Sequence, residues 1–600
     1  MYKNYNMNQE SLEVQIPYTY TIRPDHIVRI ISDFVDSLPL DMLLKNTPHT
    51  GRRAFHPAML LKMTLYAYSQ GQTSGRKIQA MNEDNLPMKW LTQDTSISYR
   101  TINRFRVASS TQGLIKQMYL SFYAQLKEQD LVSDEAIFVD GTKIKADANK
   151  YSFVWRKATE KNEAKLDQKT SDLYDEMIQA GVDTSIEAEE GLSPQQLQQL
   201  ATDLDHQISD LDEEVSQEKT PQPGGSPSKR RRRKLKKYRH KITTDFLPRK
   251  QKYTIYNATF QGRNSFSKTD LDATFMRMKE DSMRNGQLKP GYNLQIATNN
   301  QYVLNYQVFP NPTDTRTFIP FLKSTAILND FSYVVADAGY GSESNYGALI
   351  DDLEKTPLIP YGMMLKEEKK KFKNDPTKSA NWDYNAADDF YVDYQGVYFS
   401  FKNYSIRHDK YGFERKFKIY EADRNQPTAE LDQLAKTPKG RQRKIYYNPA
   451  WEYFKNYTKE KLSDPELKNI YGQRKIDVES VFGNLKGNFA FHRVHVRGKE
   501  AVSNELGLML MALNLTKMVK FNQLNSPFGT KKKSCQRNNT KFSQIQKISC
   551  YFYPNCERFV PVPPFDDLRS VGFELNVPFH DLRLVVISLK NYLAFLGSKF

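Results

Sequence analysis

IFVDGT, Ile137 to Thr142, decides how this chain of 600 residues is to be read. Four apolar residues, Ala136 to Val139, run together and stop at an acid, Asp140. Their number and composition predict a strand buried on both faces. A second run of the same kind, Tyr333 to Ala336 in the stretch ending DAGYG, stops at Asp337. A carboxylate at a strand end sits on the rim of a sheet, where loops form a cleft. The glycines that follow, Gly141 and Gly339, leave backbone room for a close ligand. Taken singly, each aspartate reads as a turn or cap residue. A third carboxylate changes the weighing.

That carboxylate is in YGQRKIDVESVFGNLKG, Tyr471 to Gly487. Val478, Val481, Phe482 and Leu485 recur at i, i+3, i+4, i+7 and predict an amphipathic helix with one face in the core. Beside them runs a second row, Lys475, Glu479, Gly483 and Lys486. Asp140, Asp337 and Glu479 together suit hard divalent cations such as Mg²⁺, which prefer carboxylate oxygens. Two such ions activate a water or a 3′-hydroxyl and stabilise the leaving oxygen of a phosphodiester displacement. Cations flanking Glu479 would then hold phosphates of the cleaved strand.

Composition agrees with a polyanionic partner. Lys plus Arg number 87 against 70 Asp plus Glu, a formal net charge of +17 that favours nucleic acid. Hydrophobic content of 39% supports real cores rather than wholesale disorder. No run approaches the roughly 18 apolar residues of a membrane span, and the first residues carry no apolar signal region. A cytoplasmic, nucleoid-associated protein with no membrane partner is the expectation. The three cysteines, Cys535, Cys550 and Cys556, lie near the end, so neither a disulfide framework nor a cysteine zinc site is expected in the body.

From about Ile22 to Leu126 the pattern is helical, with Arg100, Arg104 and Arg106 expected on an exposed face that suits a major groove. Leu197, Leu200, Leu204, Ile208, Leu211 and Val215 are heptad-like, with Leu166, Leu173 and Met177 as an antiparallel partner set. This predicts an inserted helical hairpin. PQPGGSPS, Pro221 to Ser228, reads as a flexible linker, followed by the tract KRRRRKLKKYRHK, Lys229 to Lys241. So dense a tract binds phosphates with strong salt dependence, and Arg230, Arg231, Arg232 and Arg233 are candidate DNA contacts. GYNLQIATNNQYVLNYQVFP predicts a hairpin turning at Asn299-Asn300, and alternating aromatic and charged residues over 365–445 predict an antiparallel β insertion.

FVDGTKIKADANKYSF, VVADAGYGSESN and YGQRKIDVESVFGNLKG, with the closing RVHVRGKEAVSNELGLMLMALNLTKM, together resemble a bacterial insertion-sequence transposase with a ribonuclease H-like DDE core. The narrower resemblance is to the group with a Tyr-Arg-Glu-Lys signature. It covers roughly residues 20 to 520. The resemblance implies an α/β fold, a mixed sheet flanked by helices, with Asp140, Asp337 and Glu479 as catalytic, metal-binding triad. It implies two Mg²⁺ ions, with Mn²⁺ able to substitute, and double-stranded DNA as partner, with a homodimer on paired transposon ends. Tyr471, Arg474, Lys486 and Arg497 are then DNA contacts, as are Arg100 and Arg104 in the N-terminal helices. Four residues separate Arg474 from Glu479 where the family has three. Lys475 stands at the family's position, and regular helical geometry puts it on the face of Glu479.

The domain map that follows is an N-terminal helical DNA-binding domain (1–130), a catalytic core in three parts (131–154, 246–364 and 446–524), a helical hairpin with basic linker (155–245), a β-rich insertion (365–445) and a tail (525–600). Two other readings remain open on the residues alone: a catalytically inactive DNA-binding derivative, and a Mg²⁺-dependent nuclease without strand transfer.

Overall fold

The computed structural model describes residues 21–44, 54–186, 191–218, 226–278, 286–409 and 411–525. The tail beyond 525, with its cysteines, and residues 221–225 of the Pro-Gly stretch lie outside them. The described architecture is mixed α/β.

Six strands form the central sheet: β1 (Ala136–Lys145), β2 (Thr274–Arg277), β3 (Leu288–Asn299), β4 (Tyr302–Phe309), β5 (Tyr333–Val335) and β6 (Thr356–Leu358). β1 pairs antiparallel with β3 and parallel with β5, which pairs parallel with β6. β4 and β2 share the far edge of β3, both antiparallel to it. The hairpin of β3 and β4 turns on Asn300 and Gln301, one residue later than the sequence suggests. Both have positive φ (48° and 61°), the geometry a two-residue hairpin turn demands.

One expectation about β1 fails. The strand does not stop at Asp140 but continues to Lys145, because β3 supplies partners from Phe138 through to Lys145. What stops is the neighbour on the other side: β5 ends opposite Phe138. Asp140 therefore lies within a strand, just beyond the point where its parallel partner leaves.

Helices cover the sheet. The longest, Lys499–Asn525, is buried all round through its middle, where Leu506, Leu508, Met509, Leu510, Met511 and Leu515 are all inaccessible to solvent. It belongs to one hydrophobic core with the sheet and with N-terminal helices Ile27–Asp36, Pro57–Ser69 and Ser109–Glu128. At Gly507 the packing leaves no room for a side chain. A side-chain carbon there would lie 2.1 Å from the Tyr306 hydroxyl, and the Gly507 carbonyl accepts from Tyr119 (3.1 Å).

Two excursions leave this core, each with its own. Helices Arg156–Gln179, Pro194–Gln217 and Pro227–Lys241 bury Leu166, Leu173, Met177, Leu197, Leu204, Leu235 and Tyr238 together. The tract 229–241 is thus the third helix of a bundle rather than a linker. It runs through a π-turn, Ile242–Phe246, into a further helix, Leu247–Phe260. The second excursion is a five-stranded antiparallel sheet: β7 (Asp383–Asn385), β8 (Phe390–Val392), β9 (Tyr398–His408), β10 (Glu414–Ala422) and β11 (Lys444–Tyr447). Its core is Val397, Phe399, Tyr420, Ala422 and Ala435.

Candidate active site

The parallel register places Asp140 and Asp337 side by side. Phe138 pairs with Val335, and each aspartate is two residues further on. Adjacent strands lie about 4.8 Å apart, so the two backbones emerge next to each other. Asp140 is 8% exposed; its Oδ1 accepts from the Gly141 N–H (2.7 Å). Asp337 is half-buried, with Oδ1 accepting from the Gly339 N–H (2.8 Å).

A buried polar network lies beneath them, and sequence reading missed it. Asp314, in the short turn after β4, has its Oδ1 taken by the side-chain amides of Asn293 (2.8 Å) and Gln295 (3.1 Å). Gln295 in turn accepts from the Tyr340 hydroxyl (2.6 Å). Asn293, Gln295 and Tyr340 are all solvent-inaccessible. The bare face of Gly141 is filled by this network rather than by a ligand: a side-chain carbon there would meet Gln295 at 2.2 Å and Asp314 at 2.8 Å. Burial, followed by the charges of Asp314, Asp140 and Asp337, pushes the Tyr340 hydroxyl well above its usual range. Three carboxylates thus act on one phenol. Two amide residues, Asn293 and Gln295, at buried strand positions were the available signal, since buried amides require partners.

Glu479 comes from a helix that begins at Pro465, capped by Asp464, whose Oδ1 accepts from the Glu466 N–H (2.8 Å). Val478, Val481 and Leu485 form its buried stripe, as expected, with Phe482 half-buried beside them. The helix is not regular. Lys475–Glu479 is a π-turn, and Asn484–Asn488 another. A π-turn absorbs one extra residue without rotating the rest of the helix by about 100°. Arg474, five residues before Glu479, is consequently the cation on its face. Arg474 donates to Asp140 Oδ2 (3.3 Å) and approaches Glu479 Oε1 (4.0 Å), while Lys475 is exposed. Regular helical spacing, which favours Lys475, does not hold through this π-turn.

Behind the π-turn, Asp477 is buried and accepts from the Gln301 N–H (2.7 Å) at the β3–β4 turn. Its carboxyl is pushed up by burial. Lys517 lies in its field, with its ammonium pushed down to about 8 by burial. Tyr471 is half-buried close to the acids; burial raises its hydroxyl, Arg474 opposes the rise, and Asp337 and Asp140 add to it. Lys486 is half-buried in the second π-turn.

The remaining sequence candidates are scattered. Arg497 donates to the Asp147 carbonyl (2.8 Å) and carboxylate (3.1 Å). Arg100 and Arg104 are exposed on the helix Tyr99–Val107, whose cap Ser98 accepts from the Arg100 N–H (3.2 Å). Arg106, expected beside them, is instead 4% exposed. It donates to the Tyr68 hydroxyl (3.0 Å), the Thr73 carbonyl (2.5 Å) and Asn103 (2.5 Å), and lies 3.8 Å from buried Glu505. In the arm, Arg232 pairs with Asp212 (2.6 Å) and Arg231 donates to the Gly181 carbonyl (2.9 Å); Arg230 and Arg233 are exposed.

The donor set suits a hard divalent cation in type, and Arg474 already draws a positive charge to Asp140 and Glu479. Glu479 itself stays open, its side chain 60% exposed. Among the described residues no three His, Cys, Asp or Glu side chains stand close enough together to hold a metal ion. No described helix is long and apolar enough to cross a membrane.

Comparison with known proteins gives two family matches. Residues 263–515 match a transposase DDE domain, a span that contains Asp337 and Glu479, and residues 17–108 match a second transposase domain (DUF772). Asp140 lies outside both spans, so its place rests on the strand register alone. No curated protein and no solved structure gives a match. The two matched spans, together more than half of the chain, lead to one conclusion: the chain belongs to the insertion-sequence transposases with a DDE domain.

Proposed function

We propose that this transposase binds the ends of its element and cleaves and joins DNA through Asp140, Asp337 and Glu479. The strand order β4–β3–β1–β5–β6, three antiparallel strands followed by two parallel ones, supports reading the sheet as ribonuclease H-like. One arrangement carries the proposal: Asp140 and Asp337 emerge from neighbouring strands while Arg474 ties Asp140 to Glu479.

The family generally uses a divalent metal; Asp140, Asp337 and Glu479 do not stand close enough together here to hold one, and are the residues that would have to converge on Mg²⁺ or Mn²⁺. Bound there, it supplies activation of the attacking hydroxyl and neutralisation of the leaving oxygen. The chain's own residues do the rest. Arg474 leaves the acids to clamp a phosphate of the cleaved strand, with its planar fork suited to two oxygens. Lys486, Tyr471 and Arg497 hold neighbouring phosphates. Arg100 and Arg104 on the N-terminal helices reach the terminal repeats, and exposed Arg230 and Arg233 add nonspecific contacts from the arm. A homodimer on paired ends completes the assembly.

The test is cleavage and joining of DNA carrying the element's ends, by the full chain with Mg²⁺. Asp140→Ala, Asp337→Ala and Glu479→Gln are each expected to lower cleavage by about a thousandfold or more, a loss at the upper end for one charge-stabilising group, while DNA binding persists. An Asp140→Ala enzyme that cleaves as fast as the parent would refute the triad. Cleavage without joining of precut ends would reduce the activity to that of a nuclease.

A further inference from the structure

The β insertion carries a second cationic surface, far from the acids. A broad open concavity of about 1030 Å³ lies where β9, β10 and β11 meet the turn 436–442. Six cations line it, Lys402, Arg424, Lys436, Lys439, Arg441 and Lys444, against one carboxylate, Glu421. Glu421 is occupied by Lys402 (2.5 Å) and Lys444 (2.9 Å). Arg424, Lys436, Lys439 and Arg441 are exposed and have no ion-pair partner among the described residues.

Four unneutralised cations on one concave wall repel each other, and their backbone is nevertheless held. Thr437 N–H donates to the Arg441 carbonyl (2.7 Å) and Gly440 N–H to the Thr437 carbonyl (2.8 Å). Gln442 donates to the Ala422 (3.2 Å) and Asp423 (3.1 Å) carbonyls, and Arg443 is anchored on buried Asp393 (2.8 Å). The turn is thus pinned at its base while its cations face outward. The surface is as large as the largest small-ligand pockets and too open to enclose one, so a repeating anion fits it better than a compact one. Tyr446, 44% exposed at the rim with the Arg407 guanidinium 4.0 Å above its ring, adds an aromatic face of the kind nucleic-acid surfaces use.

Position adds a reason. β10 joins this surface to the catalytic side: Arg415, near the start of the strand, lies 3.6 Å from Glu343, in the helix that follows Asp337. Glu421 is six residues along the same strand, about 20 Å at strand rise. We propose that this concavity binds the phosphodiester backbone of DNA at a distance from the cleaved bond, without reading its sequence. This rests on the reading of the chain as a DNA enzyme.

The test uses the full chain and a random-sequence linear duplex, with affinity measured across a salt titration. Replacing Arg424, Lys436, Lys439 and Arg441 by Ala together is expected to weaken binding about tenfold or more. It should also flatten the slope of log affinity against log salt by about 3 to 4, one phosphate per cation. Lys436→Arg with Lys439→Arg, which keeps the charges, should bind as the parent does. Cleavage at saturating DNA should keep its rate in both. A fourfold variant with the parent's thermal unfolding, affinity and slope overturns the proposal alone. A parent that binds no duplex at all overturns the DNA-enzyme reading and this site with it.

Discussion

Two long helices of this protein combine a cationic stretch with a π-turn, and they put it to different uses. In the arm, the helix from Pro227 is dense in Lys and Arg, but what stands opposite sorts its cations. Lys229, Arg232, Lys236 and Arg239 face Asp212 and Asp205 on the neighbouring helix and Glu218 just past its end, and form ion pairs with them. Arg233 and Lys237, one turn apart on the other side, are exposed and meet no carboxylate among the described residues. The π-turn that follows buries Ile242 and Phe246 in the bundle. In the helix from Pro465 the cations are few, and the π-turn selects which of them reaches the acids. A basic residue takes its role from the charge it faces, and neither count nor density supplies that.

Between these two helices, the largest effect should come from breaking the selection in the second. Arg474→Ala is expected to lower cleavage about a hundredfold, whereas Lys475→Ala should change it by no more than about threefold, because of these two cations Arg474 is the one that reaches Asp140 and Glu479. Equal losses in a side-by-side cleavage assay would mean that the π-turn does not set the register. Deletion of Ile476, which restores the shorter spacing, is the sharper variant if Arg474 alone proves silent.

In the arm the two faces should separate by readout. Arg233→Ala with Lys237→Ala should weaken duplex binding several-fold and reduce its salt slope by about 2, with unfolding unchanged. Arg232→Ala with Arg239→Ala should leave the slope nearly alone and cost about 1 kcal/mol of stability or less, as partly exposed ion pairs do. The contrast collapses if both pairs shift the salt slope alike.

The smallest effect concerns Lys517, behind the helix that carries Glu479. Burial holds Lys517 near 8 in the folded chain, below its ordinary 10.5. Between those values the unfolded chain binds the extra proton, so stability rises as pH is raised from about 8 towards 10.5 and is lowest below that window. Lys517→Met should remove this rise, measured as thermal unfolding against pH; an unchanged rise would place its origin elsewhere.

Much of the candidate site could be read in the chain, because its signals are local. An apolar run ending in Asp, followed by Gly, marks Asp140 and Asp337, and the stripe of Val478, Val481 and Leu485 marks the face that Glu479 does not share. Other features had no local signal. Asp314 looks like any turn acid in NPTDTRTF until Asn293 and Gln295 point at it from a neighbouring strand. Arg106 has the same one-dimensional environment as Arg104, yet buried Glu505, some four hundred residues away, makes it a core residue.

The sequence by itself supplied most of the element types, the candidate acids and the cationic balance, since these follow from periodicity, residue chemistry and net charge. Tertiary structure alone decided which cation faces which acid. A helix register shifted by one π-turn, a parallel neighbour ending opposite Phe138, and acids contributed by another helix are each a matter of packing between distant segments. Electrostatic role depends on distance in space, which falls off over a few ångströms, and sequence separation does not encode it.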